Sequence, residues 1–104
     1  MARKLLHPAM DEIDLSNVLN ALGDPLRLKI VANLIKGAGS CTGACPDETA
    51  KSTLSHHFRV LREAGIVHSQ KEGVTLVNSV RKEELNKKFP GLLDSVLRAH
   101  LKNK

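Results

Sequence analysis

The side chains best suited to chemistry cluster in one stretch near the middle of the chain: Lys51, Ser52, Thr53, Ser55, His56 and Arg59. The periodicity predicts a helix over 51–64, with Leu54, Phe58 and Leu61 inward and Ser52, Ser55, His56, Arg59, Arg62 and Glu63 largely outward. Hydroxyls and free backbone N–H groups in a first helical turn suit phosphate oxygens, and the helix dipole assists them. Arg59 lies a turn further along, and its planar fork matches the major-groove edge of guanine. The bland readings are helix-start chemistry for Ser52 and Ser55 and a plain surface charge for Arg62. His56 and His57 are neighbours, pointing about 100° apart on a helix, which serves metal ligation poorly. A DNA-contacting or packing role suits both better.

Cys41 and Cys45, the only two cysteines, precede that stretch. Ser40 can cap a short turn through Ala44, which puts both thiols on one face at i and i+4. Three readings stand. The pair can be small buried hydrophobes, the commonest fate of reduced cysteine. It can be a thiol switch, because the spacing approaches the roughly 6 Å between Cα atoms that a disulfide needs. It can be half of a metal site, zinc wanting four ligands, with the others from His7, His68, His100 or a partner subunit. No enzyme motif accompanies them. There is no Gly-rich phosphate loop, HExxH or nucleophile elbow, and Cys-x-x-x-Cys is not the redox Cys-x-x-Cys.

Other elements must hold these residues in place. Leu15, Val18, Leu19 and Leu22 recur at helical spacing and predict a helix over 11–22, with Asp11, Glu12 and Asp14 near its N-terminal end. Gly23 is expected to stop it with positive φ, Asp24 to cap the next helix and Pro25 to begin it. That helix, over 25–36, is apolar at Leu26, Ile30, Val31, Leu34 and Ile35 and polar only at Lys29, Asn33 and Lys36, so most of its circumference should be buried. Gly37, Gly39, Gly43 and Pro46 argue against a long helix next, and Pro46-Asp47-Glu48-Thr49 reads as a turn. Gly65 should end the 51–64 helix. A β-hairpin is expected over 66–71 and 74–80, turning at Glu72-Gly73, with Asn78 interrupting the alternation of Val74, Leu76 and Val80. A last helical region from about 82 carries Leu92, Leu93, Val96, Leu97 and Leu101 and is expected to kink at Pro90-Gly91.

The order helix, helix, short helix, turn, helix, two-stranded wing, helix predicts a mostly α fold, a winged helix-turn-helix. The chain has 104 residues, read as a single domain over 1–104. Its formal charge of +5 is unevenly placed: residues 1–50 carry a net −1 and residues 51–104 a net +6. A polyanion facing the second half is the natural partner. Two Phe with no Trp or Tyr exclude a base-stacking surface of the RRM or OB kind. No apolar run spans a membrane, and no signal-peptide core develops before Pro8, so a reducing cytoplasm is expected, where a structural disulfide is not the default. The exposed stripes of 11–22 and 82–101 are expected to pair two copies, unless the last helix simply folds over its own core.

The stretches Ala21-Leu22-Gly23-Asp24-Pro25-Leu26-Arg27-Leu28-Lys29-Ile30 and Lys51-Ser52-Thr53-Leu54-Ser55-His56-His57-Phe58-Arg59-Val60-Leu61-Arg62-Glu63-Ala64-Gly65-Ile66-Val67 closely resemble the ArsR-type (arsenic-repressor-like) winged-helix transcriptional repressors. The second stretch is specific to that family and the first supports it. The resemblance covers about residues 13 to 100. It implies a bacterial homodimer that binds a pseudo-palindromic operator in double-stranded DNA through the 51–64 helix and releases it when a metal ion or other signal arrives. In the family the terminal helices form the two-fold interface, which sets the recognition helices roughly 34 Å apart for successive major grooves. The chain departs from the family twice. Ser69-Gln70-Lys71-Glu72-Gly73 is poor in cations where family wings are commonly rich in arginine, leaving Lys71 as the wing's candidate phosphate contact. The family metal patterns are two cysteines one residue apart after Glu-Leu, or Asp-x-His with a later His-x-x-Glu. Neither is matched by Cys41 and Cys45 or by Asp94 and His100, so metal sensing is not implied. A winged helix can also serve as a protein-interaction or RNA-binding module, and steep salt dependence of duplex binding distinguishes the two.

Overall fold

The computed structural model describes residues 7–36 and 51–102. The expected turn at 40–44 with Cys41 and Cys45, and the turn at 46–49, lie outside the described residues.

The first predicted helix is two pieces. A 3-10 turn, Met10–Glu12, is separated by Ile13 and Asp14 from helix α1, Leu15–Leu22. The Glu12 carboxylate accepts the Ala9 backbone N–H at 2.8 Å, which stabilises the tight turn. Ile13 turns inward in extended conformation and is buried. Gly23 ends α1 at φ −80°, not in the left-handed region expected of it. Helix α2, Pro25–Ile35, begins as the sequence predicts: Pro25 occupies its first turn, and the Asp24 carboxylate accepts the Arg27 backbone N–H at 3.0 Å. Ile30, Val31, Ala32 and Leu34 bury, so α2 is the central helix.

Helix α3, Lys51–Glu63, presents Leu54, Phe58 and Leu61 to that core. It stops at Gly65, whose φ is +85°. A Cβ at this position would come within 2.5 Å of the Ile13 side chain, so Gly65 both reverses the chain and lets the N-terminal segment cross it. Strands β1, Val67–Glu72, and β2, Thr75–Val80, then form an antiparallel hairpin with Val67 opposite Val80 and Glu72 opposite Thr75. The turn is therefore Gly73-Val74, one residue later than expected. Gly73 has φ +64° and no described non-Gly residue has positive φ, as a type II′ turn requires. Asn78 does not interrupt the buried face. It opposes Ser69 and accepts its hydroxyl hydrogen bond at 2.5 Å, so two buried polar groups satisfy each other.

The last region is two helices: α4, Lys82–Lys88, and α5, Leu92–Lys102. Pro90-Gly91 breaks the helix instead of bending it. Leu85, Leu93 and Leu97 are buried, while Leu92 and Val96 are half-buried and Leu101 is exposed. Ile30, Leu61, Ile66, Val18, Val31 and Val67 lie deepest, each worth roughly 1.5–3 kcal/mol of transfer free energy. That sum exceeds any helix-end contribution, so packing of α2 against α3 and the hairpin fixes the architecture. Among the described residues, no helix is long and apolar enough to cross a membrane.

Candidate nucleic-acid interface

With Leu54, Phe58 and Leu61 anchored in the core, the opposite face of α3 is turned outward. Ser52, Thr53, Ser55, His56 and Arg59 are all exposed on this one helix, which Lys51 begins. The hydroxyls stand on its first turns and the imidazole and guanidinium follow. Arg59 Nε donates to Glu63 Oε2 at 3.3 Å, with both side chains mostly in water, at 70% and 63% exposure. Such a pair is worth about 0–1 kcal/mol, so a desolvating phosphate or base edge can displace the carboxylate. Arg62 differs from expectation. It is half-buried, and loss of solvent pushes its pKa down, with Glu63 opposing that and Arg59 adding to it.

The adjacent histidines have tilted rings 5.6 Å apart but differ in exposure. His56 is exposed. His57 is half-buried, its side chain 12% exposed, and turns towards the start of α2. There Arg27 Nη1 lies 3.1 Å from His57 Nδ1. Arg27 also donates from Nε to the Ala21 carbonyl at 2.6 Å and from Nη2 to the Asn20 carbonyl at 3.3 Å. Those carbonyls belong to the last turn of α1, where Asn20 also accepts the Gly23 backbone N–H at 3.2 Å, so Arg27 completes the end of that helix. Asp24 Oδ2 stands 4.0 Å from His57 Nδ1. Burial pushes the Asp24 carboxyl up, but the Arg27 backbone N–H and guanidinium outweigh that and hold it below the ordinary carboxylate value. Sequence reasoning missed Arg27. The available signal was a cation in the first turn of a helix, where the macrodipole disfavours it and some other interaction must compensate.

Lys71 is exposed on β1, in the wing, separate from the α3 face. Gln70, Glu72, Gly73 and Val74 are exposed beside it, and Val74 at the tip is wholly in solvent. The base of the wing is tied down by the N-terminal segment. The His7 and His68 rings stack at 4.4 Å, and His7 Nε2 accepts the Ser69 backbone N–H at 3.0 Å. Arg81 reaches the Pro8 carbonyl at 2.8 Å while gripping both Glu84 oxygens, and Lys88 reaches the Met10 carbonyl at 2.7 Å. The hydrogen bond from Arg81 is the main reason the Glu84 carboxyl sits below its ordinary value. Among the described residues, no group of three or more His, Cys, Asp or Glu side chains converges as a metal ion would require. His7 and His68 meet each other, and His100 lies on α5.

Comparison with known proteins agrees with this geometry. A helix-turn-helix domain model matches residues 22–70, which span α2, α3 and most of β1. The chain is 31% identical over 84 residues to the uncharacterized HTH-type transcriptional regulator YceK of Bacillus subtilis, covering 78% of this chain and 84% of that one. It is 26% identical over 84 residues to the transcriptional repressor SdpR of the same organism, covering 79% and 92%. The crystal structure of an ArsR family transcriptional regulator superposes with a TM-score of 0.62 over 94% of this chain and 91% of that one, at 19% identity, which establishes the shared fold. Helix order, wing, outward polar helix face and relatives converge: the chain belongs to the helix-turn-helix transcriptional regulators, not to the enzymes, and shares the winged-helix fold of an ArsR family member.

Proposed function

We propose that two copies of this chain bind a pseudo-palindromic operator in double-stranded DNA and repress transcription until a signal releases them. The observation that carries this is the α3 face. Exposed Ser52, Thr53, Ser55, His56 and Arg59 stand outward on a helix whose other side is locked in the core. Entering the major groove N-terminus first, Lys51, Ser52, Thr53 and Ser55 engage phosphates while His56 and Arg59 reach base edges. Lys71 adds a flanking phosphate contact from the wing. Leu15 and Leu19 are exposed on one face of α1, and Leu101 on α5, which supports pairing through the terminal helices. The name of SdpR supports repression.

The protein works in the cytoplasm in this reading. Its candidate signal input is Cys41 and Cys45, either as two ligands of a metal ion or as a dithiol that loses two electrons and two protons to an oxidant. Serine at both positions then abolishes induction in a reporter strain, and normal induction makes the pair structural. The direct test of function is an electrophoretic shift on the DNA upstream of the protein's own coding sequence. Sequence-selective binding that falls steeply with salt is expected. Salt-insensitive capture of another protein, with no duplex preference, would overturn it in favour of an interaction module.

A further inference from the structure

The cluster at the junction of α1, α2 and α3 is more than a surface ion pair. A guanidinium has only donors, so the 3.1 Å approach of Arg27 Nη1 makes His57 Nδ1 the acceptor and puts the ring hydrogen on Nε2. The same guanidinium holds the Ala21 and Asn20 carbonyls, and its own backbone N–H is held by Asp24. One side chain therefore joins the end of α1, the start of α2 and the middle of α3. His57 sits between His56 and Phe58, so the hydrogen bond acts at the boundary between the outward face of α3 and its buried face. Apolar packing of Leu54, Phe58 and Leu61 sets how deep α3 sits but tolerates small rotations about its axis. A directional hydrogen bond does not.

We propose that Arg27 and His57 are positioning residues for sequence reading: their hydrogen bond sets the rotation of α3 and thereby aims His56 and Arg59 at base edges. This rests on the DNA-binding reading above. Bidentate base contacts require placement within a fraction of an ångström, whereas phosphate attraction does not. Loss of the clamp should therefore erode discrimination and spare non-specific binding.

The experiment uses the full chain, a duplex selected by the wild type from a random pool, and a scrambled duplex of the same composition. His57→Leu removes the acceptor, and Arg27→Lys keeps the charge while removing the fork. His57→Asn keeps an acceptor oxygen near the position of Nδ1. His57→Leu and Arg27→Lys should lower the ratio of selected to scrambled affinity by about tenfold or more, the discrimination of one base contact, with scrambled-duplex affinity little changed. His57→Asn should recover most of the ratio. If His57→Leu melts early, Arg27→Lys against His57→Asn carries the comparison. Nitrogen-15 spectra of the free wild type should show the neutral His57 ring as the tautomer with its hydrogen on Nε2. Wild-type discrimination in folded His57→Leu and Arg27→Lys, or a proton on Nδ1, would overturn the clamp. A wild type that selects no sequence overturns the DNA-reading function itself, while the imidazole spectrum still judges the hydrogen bond.

Discussion

Arg59 and Asp24 show how differently two charged residues of one small protein earn their place. Among the described residues Arg59 pairs with an exposed carboxylate and stands in solvent, away from the buried core. Arg59→Ala should lower affinity for a selected operator by about 1–3 kcal/mol and relax preference at one base position, with the melting temperature little changed. Fluorescence anisotropy on single-base operator variants checks this, and unchanged preference would remove Arg59 from base reading. Asp24 works inside the protein. Its folded-state pKa lies below the ordinary 3.8, so its stabilisation is complete above that value and is lost as pH falls through the depressed one. Asp24→Ala should cost about 0.5–2 kcal/mol near pH 7 through the lost cap. The deficit should shrink on acidification below pH 4, as thermal melts across that range will show.

At the scale of elements, two left-handed glycines predict opposite outcomes for the same substitution. Gly65→Ala meets both the positive φ and the Ile13 side chain, which must shift within its buried berth to relieve the clash. A loss of about 2 kcal/mol or more is expected, combining strain with overpacking. Gly73→Ala finds open space, so only the backbone cost of about 1–2 kcal/mol applies, and it falls on the hairpin turn. Chemical denaturation separates them, and equal effects would refute the packing role of Gly65. The helices themselves were legible because Asp24-Pro25 and the spacing of Leu54, Phe58 and Leu61 are local signals. The break at Ile13 was not. It exists because Ile13 has a buried berth over Gly65, 52 residues away in sequence. Asn78 was misread for the same reason, since its partner Ser69 lies on the other strand.

The whole molecule raises the question of pairing. Leu15 and Leu19, both close to half exposed, lie one helical turn apart on α1, whereas Val18, Ala21 and Leu22 fill the core. A single chain has already used the buried side of that helix. Leu19→Glu should therefore yield a folded monomer by analytical ultracentrifugation and a loss of operator affinity larger than any single α3 substitution, because both half-sites must be held together. A dimer that survives this change would place the interface elsewhere. Of the net +6 of residues 51–104, α3 holds +2 and the wing none, the rest lying at Arg81, along the two final helices and at Lys104, so much of it acts as long-range attraction, and salt should weaken binding beyond what the α3 contacts alone explain.

The sequence by itself determined the capped start of α2, the glycine stop after α3, the hairpin that follows, and the outward placing of Ser52, Ser55, His56 and Arg59 on α3, because each depends on neighbours within a few positions. It also carried the family resemblance that the relatives then supported. Only the tertiary structure decided that His57 meets Arg27 while His56 stays exposed, that Asn78 is buried against Ser69, and that the N-terminal segment crosses Gly65 and ties down the wing. These contacts join residues 9 to 78 positions apart, and a periodic pattern has no term for a partner that distant.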